Sequence, residues 1–173
     1  MEENRTVVFR DGSPGIVRPI TSSDRAAFVE AFESLSDESR FSRFFFNKKV
    51  LTEADLDRLA NPDGDKHIAY GVAALDDDGT ETPIAVGHCF RNPDSPEIAE
   101  VAIVTADLWQ GNGVGFELLQ SLKAASLSAG IDRWIAVLLA ENTAMFRLLE
   151  KVTGSPALIK KEYGIIEAAY QIR

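Results

Sequence analysis

A single cysteine, Cys89, occurs among the 173 residues, so no internal disulfide can form. A small, buried core residue is the reading for Cys89, which sits in the strand-like run Val86-Gly87-His88-Cys89-Phe90. Two isolated histidines, His67 and His88, and that one thiol lack ligand spacing, so no metal site is expected. No apolar run approaches the roughly twenty residues that cross a bilayer. The opening Met-Glu-Glu-Asn-Arg lacks the basic start and apolar middle of a secretion signal. No membrane partner is expected, and the cytoplasm is the expected compartment. Basic residues are also scarce: 18 Lys and Arg stand against 27 Asp and Glu, a net charge of −9. That balance argues against a nucleic-acid partner, which a basic stripe would favour. It suits a cationic acceptor, because a negative surface attracts amines and lysine-rich proteins. Repeats, low-complexity tracts and linkers are absent too, so residues 1–173 read as one domain with a substantial core.

What is present is a glycine-dense loop, Gln110-Gly111-Asn112-Gly113-Val114-Gly115, between two unlike segments. Glu97 to Ala106 is apolar and β-branched and predicts a strand. Phe116 to Ala129 carries Leu118, Leu119, Leu122 and Leu127 at near-helical spacing. Strand, glycine loop and helix start together make a place for a phosphate, because glycines turn N–H groups toward one point and the helix N-terminus adds partial positive charge. The Walker loop is excluded, since no Gly-Lys-Ser/Thr follows. The dinucleotide fingerprint fails as well: its third glycine would fall on Phe116, and Asp132 opens the next strand instead of closing it. A plain strand–helix turn that binds nothing is the remaining alternative.

Downstream, residues 132–140 form an apolar run fit for a buried strand. Glu141-Asn142-Thr143 then starts a helix that ends near Lys151, with Gly154 beyond it. Upstream, strands are expected at Thr6–Phe9 and Gly15–Ile20, and helices at 24–34, from 35 to about 45, and from the capping-box signal at Thr52 to Ala60. Further strands follow at His67–Asp76 and Pro83–Asn92, and two more after Gly154-Ser155-Pro156. Hairpin-linked strands imply antiparallel pairing, and the strand–helix–strand across the glycine loop implies one parallel pair. The expected class is α+β, a three-layer α/β/α arrangement with a mixed, mostly antiparallel sheet of about seven strands and helices on both faces. Phe41, Phe44 and Phe45 fit one helical face and are expected in the core; Arg40 and Arg43 beside them read as solvated or structural residues, with a place at the mouth of the substrate or cofactor site as the alternative.

The spacing of Gln110, Gly113 and Gly115 resembles the pyrophosphate loop of the GCN5-related N-acetyltransferase (GNAT) family. The resemblance covers nearly the whole chain. Ser34-Leu35-Ser36-Asp37-Glu38-Ser39-Arg40-Phe41-Ser42-Arg43-Phe44-Phe45, with His67-Ile68-Ala69 and Ala99-Glu100-Val101-Ala102, is similar to the acetyltransferase domain of bacterial Pat-type protein lysine acetyltransferases. It implies acetyl-CoA as donor, with Gln110, Gly111, Asn112, Gly113, Val114 and Gly115 at the diphosphate. The backbone of Ile103, Val104 and Thr105 would pair with the pantetheine arm. Asn142 would contact the same arm, and it is equally suited to cap its helix. Pat-type enzymes often carry a regulatory domain, and none is expected within these 173 residues.

Acyl transfer from a thioester to an amine needs the amine deprotonated, the carbonyl oxygen polarised and the reactants aligned. Glu100 is the candidate base. It stands in an otherwise apolar strand, where burial would raise its pKa toward neutrality, and the resemblance also puts a catalytic Glu on this strand. Glu97 is second, being nearer the strand's start. Strand alternation places Glu100, Ala102, Val104 and Ala106 on one face. Many relatives carry a Tyr, in the helix after Asn142, that protonates the leaving thiolate; Leu149 stands at that position. His67 and His88 are alternatives for proton handling, though ordinary strand residues by pattern. The acceptor is expected to be a protein lysine. A small amine, or no acceptor at all in an acyl-CoA-binding module, are the other readings.

Overall fold

The computed structural model describes residues 4–173; the first three residues of the stretch read for a secretion signal lie outside it. The chain runs β1 (Arg5–Val8), β2 (Pro14–Pro19), α1 (Arg25–Ser34), α2 (Asp37–Phe44), α3 (Glu53–Leu59), β3 (His67–Leu75), β4 (Glu81–Asn92) and β5 (Ser95–Thr105). It continues through α4 (Val114–Ser128), β6 (Arg133–Leu139), α5 (Thr143–Thr153), β7 (Leu158–Glu162) and β8 (Ile165–Gln171).

Local chemistry sets most boundaries. Ser36 caps α2 by accepting from the Ser39 amide at 3.1 Å. Thr52 and Asp55 form the expected capping box of α3, with bonds of 2.7 and 3.2 Å. Gly79, at φ 83°, closes the β3–β4 turn by donating to the Asp76 carbonyl. Burial works to raise the pKa of Asp24, and hydrogen bonds from Arg18 and Thr21 outweigh it, so the carboxyl lies below its ordinary value and ties β2 to the start of α1.

The strands form one sheet in the order β1-β2-β3-β4-β5-β6-β8-β7, antiparallel except for β5–β6. This is the expected mixed, mostly antiparallel sheet with one parallel pair, in eight strands, the short β1 pairing along its whole length with β2. α4 and α5 cover one face. Their Leu118, Leu119, Leu122 and Leu149 are fully buried against Val101, Trp134 and Tyr170, each contributing about 1.5–3 kcal/mol by removal from water. Gly87 sits under α4, where a Cβ would lie 2.6 Å from Leu122 Cδ1. α1 and α3 cover the other face, with Phe28, Leu56 and Leu59 packed near Val86 and Phe90.

The α2 phenylalanines depart from expectation. No residue of α2 is fully buried, and Phe41 is 43% exposed. The short helix turns only Phe44 onto α1, 5.9 Å from the Phe32 ring, while Phe45 ends the helix in a left-handed conformation at φ 63°. Among the described residues no helix is long and apolar enough to cross a membrane.

Candidate active site

β5 and β6 run parallel but pair at only three positions: Ile98 with Arg133, Ala99 with Trp134 and Glu100 with Ile135. Beyond Glu100, β5 stays bonded to β4 through Ile103, Val104 and Thr105, while β6 continues on β8 to Leu139. The strands therefore part. The edge of β5 beyond Glu100 faces a cleft of about 830 Å³ walled by the glycine loop, the start of α5 and α2. A free strand edge offers backbone groups to an extended, amide-bearing ligand.

Gly111 and Gly113 adopt left-handed φ values of 76° and 89° and lead into α4. Among the described residues, no backbone carbonyl accepts from the amides of Gly111, Gly113, Val114 or Gly115. These open N–H groups and the positive end of the α4 dipole form an anion cradle. Gly115 has a packing reason as well: a Cβ there would lie 2.8 Å from Leu148 Cδ2 of α5. The Gln110 side chain donates to the Thr105 carbonyl and to Ser39 Oγ, both at 3.2 Å, and so ties the loop to β5 and α2.

Ile103, Val104, Thr105, Gln110, Gly111, Gly113, Gly115 and Asn142 line the cleft together with Glu100. Asn112 and Val114 do not. Asn112 faces the β1–β2 turn, accepting from the Asp11 amide at 3.0 Å and the Arg10 amide at 3.1 Å. The Val114 side chain is packed in the core. Asn142 caps α5 by accepting from the Met145 amide at 3.1 Å while its residue borders the cleft.

Glu100 is exposed rather than buried. The parting of the strands uncovers this side of β5, so its apolar neighbours in sequence do not enclose it. Arg43 takes the alternative reading, at the mouth of the site: it lines the cleft, and burial holds its pKa below the ordinary value against the opposing charge of Glu100. His67 and His88 lie away from the cleft, joined Nε2 to Nδ1 at 2.9 Å and stacked with Phe90. Burial pushes His67 down to about 4 and holds His88 well below its ordinary value. Burial pushes the Cys89 thiol up to about 12, and Ser126 Oγ donates to its sulfur. Leu149 is fully buried. Among the described residues no group of three His, Cys, Asp or Glu could hold a metal ion.

Other residues of the site were not singled out by sequence. Arg10 Nη1 donates to the Gly111 carbonyl at 3.1 Å, and Lys151 Nζ lies 4.5 Å from the Phe116 ring centroid, so two cations flank the loop. Asp107 accepts from the Ser36 amide, Ser36 Oγ and Ser39 Oγ at 2.7–3.0 Å and anchors α2 to the end of β5. Nothing local announces that bond, whose partners lie 71 and 68 residues apart.

A family model described as an acetyltransferase (GNAT) domain matches residues 16–153. The chain belongs to the GNAT acetyltransferase family. The GNAT domain of S. lividans PAT has a TM-score of 0.83 at 29% identity, over 97% of this chain and 96% of that one. Acetyltransferase Pat of Mycolicibacterium smegmatis is 25% identical over 161 residues, covering 92% of this chain and 46% of its own length. The chain thus spans about half the length of that relative. A Pseudomonas aeruginosa acetyltransferase is 27% identical over 135 residues, 78% of this chain and 72% of that protein. Salmonella typhimurium YncA, solved with its cofactor acetyl-CoA, shares the fold with a TM-score of 0.66 at 14% identity, over 92% and 94% of the two chains. The cleft of this chain fits the acetyl-CoA that the YncA structure holds: open amides at a helix N-terminus suit a diphosphate, and a free strand edge suits an arm carrying amides.

Proposed function

We propose that this enzyme acetylates lysine side chains of proteins, with Glu100 as general base. The observation that carries the reading is the parting of β5 and β6 directly after Glu100, which leaves this carboxylate where the free strand edge begins. The resemblance to Pat-type sequences and the likeness to the GNAT domain of S. lividans PAT support the lysine acceptor.

In this reading the amides of Gly111, Gly113, Val114 and Gly115 hold the diphosphate, while Gln110 and Asn112 brace the loop from either side. Arg10 and Lys151 add positive charge at the rim. The backbone of Ile103, Val104 and Thr105, with Asn142 opposite, aligns the pantetheine arm. When bound, acetyl-CoA supplies an acyl group on a good leaving sulfur. Glu100 takes a proton from the lysine ammonium, directly or through a water, and the neutral amine attacks without a side-chain nucleophile. Cys89 is sealed in the core and takes no part. Buried Leu149 offers no acid, so water in the open cleft protonates the departing thiolate.

Glu100→Gln is expected to lower kcat/KM roughly 10²–10⁴-fold with acetyl-CoA affinity unchanged by calorimetry. Equal turnover in the variant removes Glu100 from the mechanism. Transfer to polyamines and free amino acids, with none to folded proteins, moves the acceptor to small amines.

A further inference from the structure

The α2 side of the cleft holds a cation with nothing bound to it. Arg43 projects from the last turn of α2 between two spaces: the cleft, and a small apolar pocket lined by Phe28, Phe32, Val86 and Val104. Among the described residues its guanidinium makes no hydrogen bond and no ion pair. Its one specific contact is the Phe44 ring, 5.0 Å from Cζ. The neighbouring arginines differ. Arg18 pairs with Asp24 and Glu81, Arg25 pairs with Glu53 and Asp57, and Arg40 donates from Nη2 to the Glu33 carbonyl, although its buried Nε has no partner among the described residues. Arg58, over the Phe90 ring, is exposed to water.

The guanidinium has five donors in a planar fork, and at the cleft wall none of them is taken by another described residue of the protein. Glu100 is near enough for its charge to act on Arg43, yet the two do not pair. The place where transfer occurs therefore carries a negative group from β5 and a separate positive group from α2. A ligand that matches both has an amine for Glu100 and an anion for Arg43, and a carboxylate fits the guanidinium fork in two-pronged fashion.

We propose that Arg43 binds a carboxylate carried by the acceptor close to its reacting amine, so that acceptors are selected as amine–carboxylate pairs. The proposal rests on the acetyl-transfer reading above. Two sources supply this chemistry: an acidic side chain next to a lysine in a protein, and the α-carboxylate of a free amino acid.

The test uses the full chain with acetyl-CoA and two matched acceptor sets: lysine peptides with Glu or Gln beside the lysine, and free amino acids against their amides. The wild type is expected to prefer the carboxylate-bearing member of one set by roughly tenfold to a hundredfold in kcat/KM, and the set in which this appears identifies the source. Arg43→Gln is expected to bring that ratio to about one while the acetyl-CoA Kd and Tm hold; Arg43→Lys, which keeps the charge, is expected to keep part of the preference. Equal rates within both sets for the wild type, or a ratio that survives Arg43→Gln, overturn the proposal alone. Absence of all transfer and of acetyl-CoA binding overturns the acyltransferase reading and this proposal with it.

Discussion

Removing the Asp107 carboxylate tests whether the end of β5 holds α2 against the cleft. Asp107 accepts three hydrogen bonds, from the Ser36 amide at 3.0 Å, Ser36 Oγ at 2.7 Å and Ser39 Oγ at 2.8 Å. α2 in turn carries Ser39, Ser42 and Arg43 into the cleft. A hydrogen bond to a charged group contributes about 1.5–3 kcal/mol where water is excluded. Asp107 is exposed, and in Asp107→Ala both serines regain water, so the three bonds together reduce to about 1–2 kcal/mol. For a chain of this length that is a fall in Tm of about 2–8 °C. The acceptor KM is expected to rise, because α2 no longer holds one position. The acid side offers an independent check. Burial works to raise the Asp107 pKa, and the bonds from Ser36 and Ser39 outweigh it, leaving the carboxyl below its ordinary 3.8. The stabilisation is therefore full above that value and is lost as pH falls through the lower, folded one. Urea denaturation of wild type and Asp107→Ala at pH 7 and at pH 3 measures both effects. The reasoning is refuted if the two proteins unfold at the same urea concentration at pH 7, or if the gap between them widens toward acid.

Gly113→Ala forces a side chain onto φ 89°, a strain of roughly 1–2 kcal/mol; calorimetry should show weaker acetyl-CoA binding, and unaltered affinity would mean that the loop tolerates the change. Gly87→Ala places a Cβ within 2.8 Å of both Leu122 and Ile103, and should cost about 1–3 kcal/mol by thermal unfolding. The buried His67–His88 pair predicts an acid-sensitive fold. Both folded pKa values lie below the usual 6.5, so their stabilisation is complete above 6.5 and lost as pH falls toward about 4. Denaturation between pH 7 and 4.5 should show that decline, flattened in a His67→Gln/His88→Gln double variant; a wild type equally stable across the window would rule it out.

Much of this molecule is legible in its order of residues because it is encoded locally. The capping-box signal at Thr52 and the leucine spacing of α4 act within a few residues of themselves, and each helix formed close to where they placed it. The glycine loop is of the same kind, since left-handed φ at Gly111 and Gly113 belongs to the residue itself. What tertiary structure alone decided is what faces what. Alternation put Glu100 on one face with Ala102, Val104 and Ala106, but only the parting of β5 from β6 opened a cleft beside it. The Phe41–Phe45 run looked like a core stripe, and packing against α1 selected Phe44 alone. Arg43, Asp107 and Arg10 became parts of one cleft through contacts spanning tens of residues or more. Such contacts depend on how far two layers stand apart, a distance that no stretch of chain carries within itself.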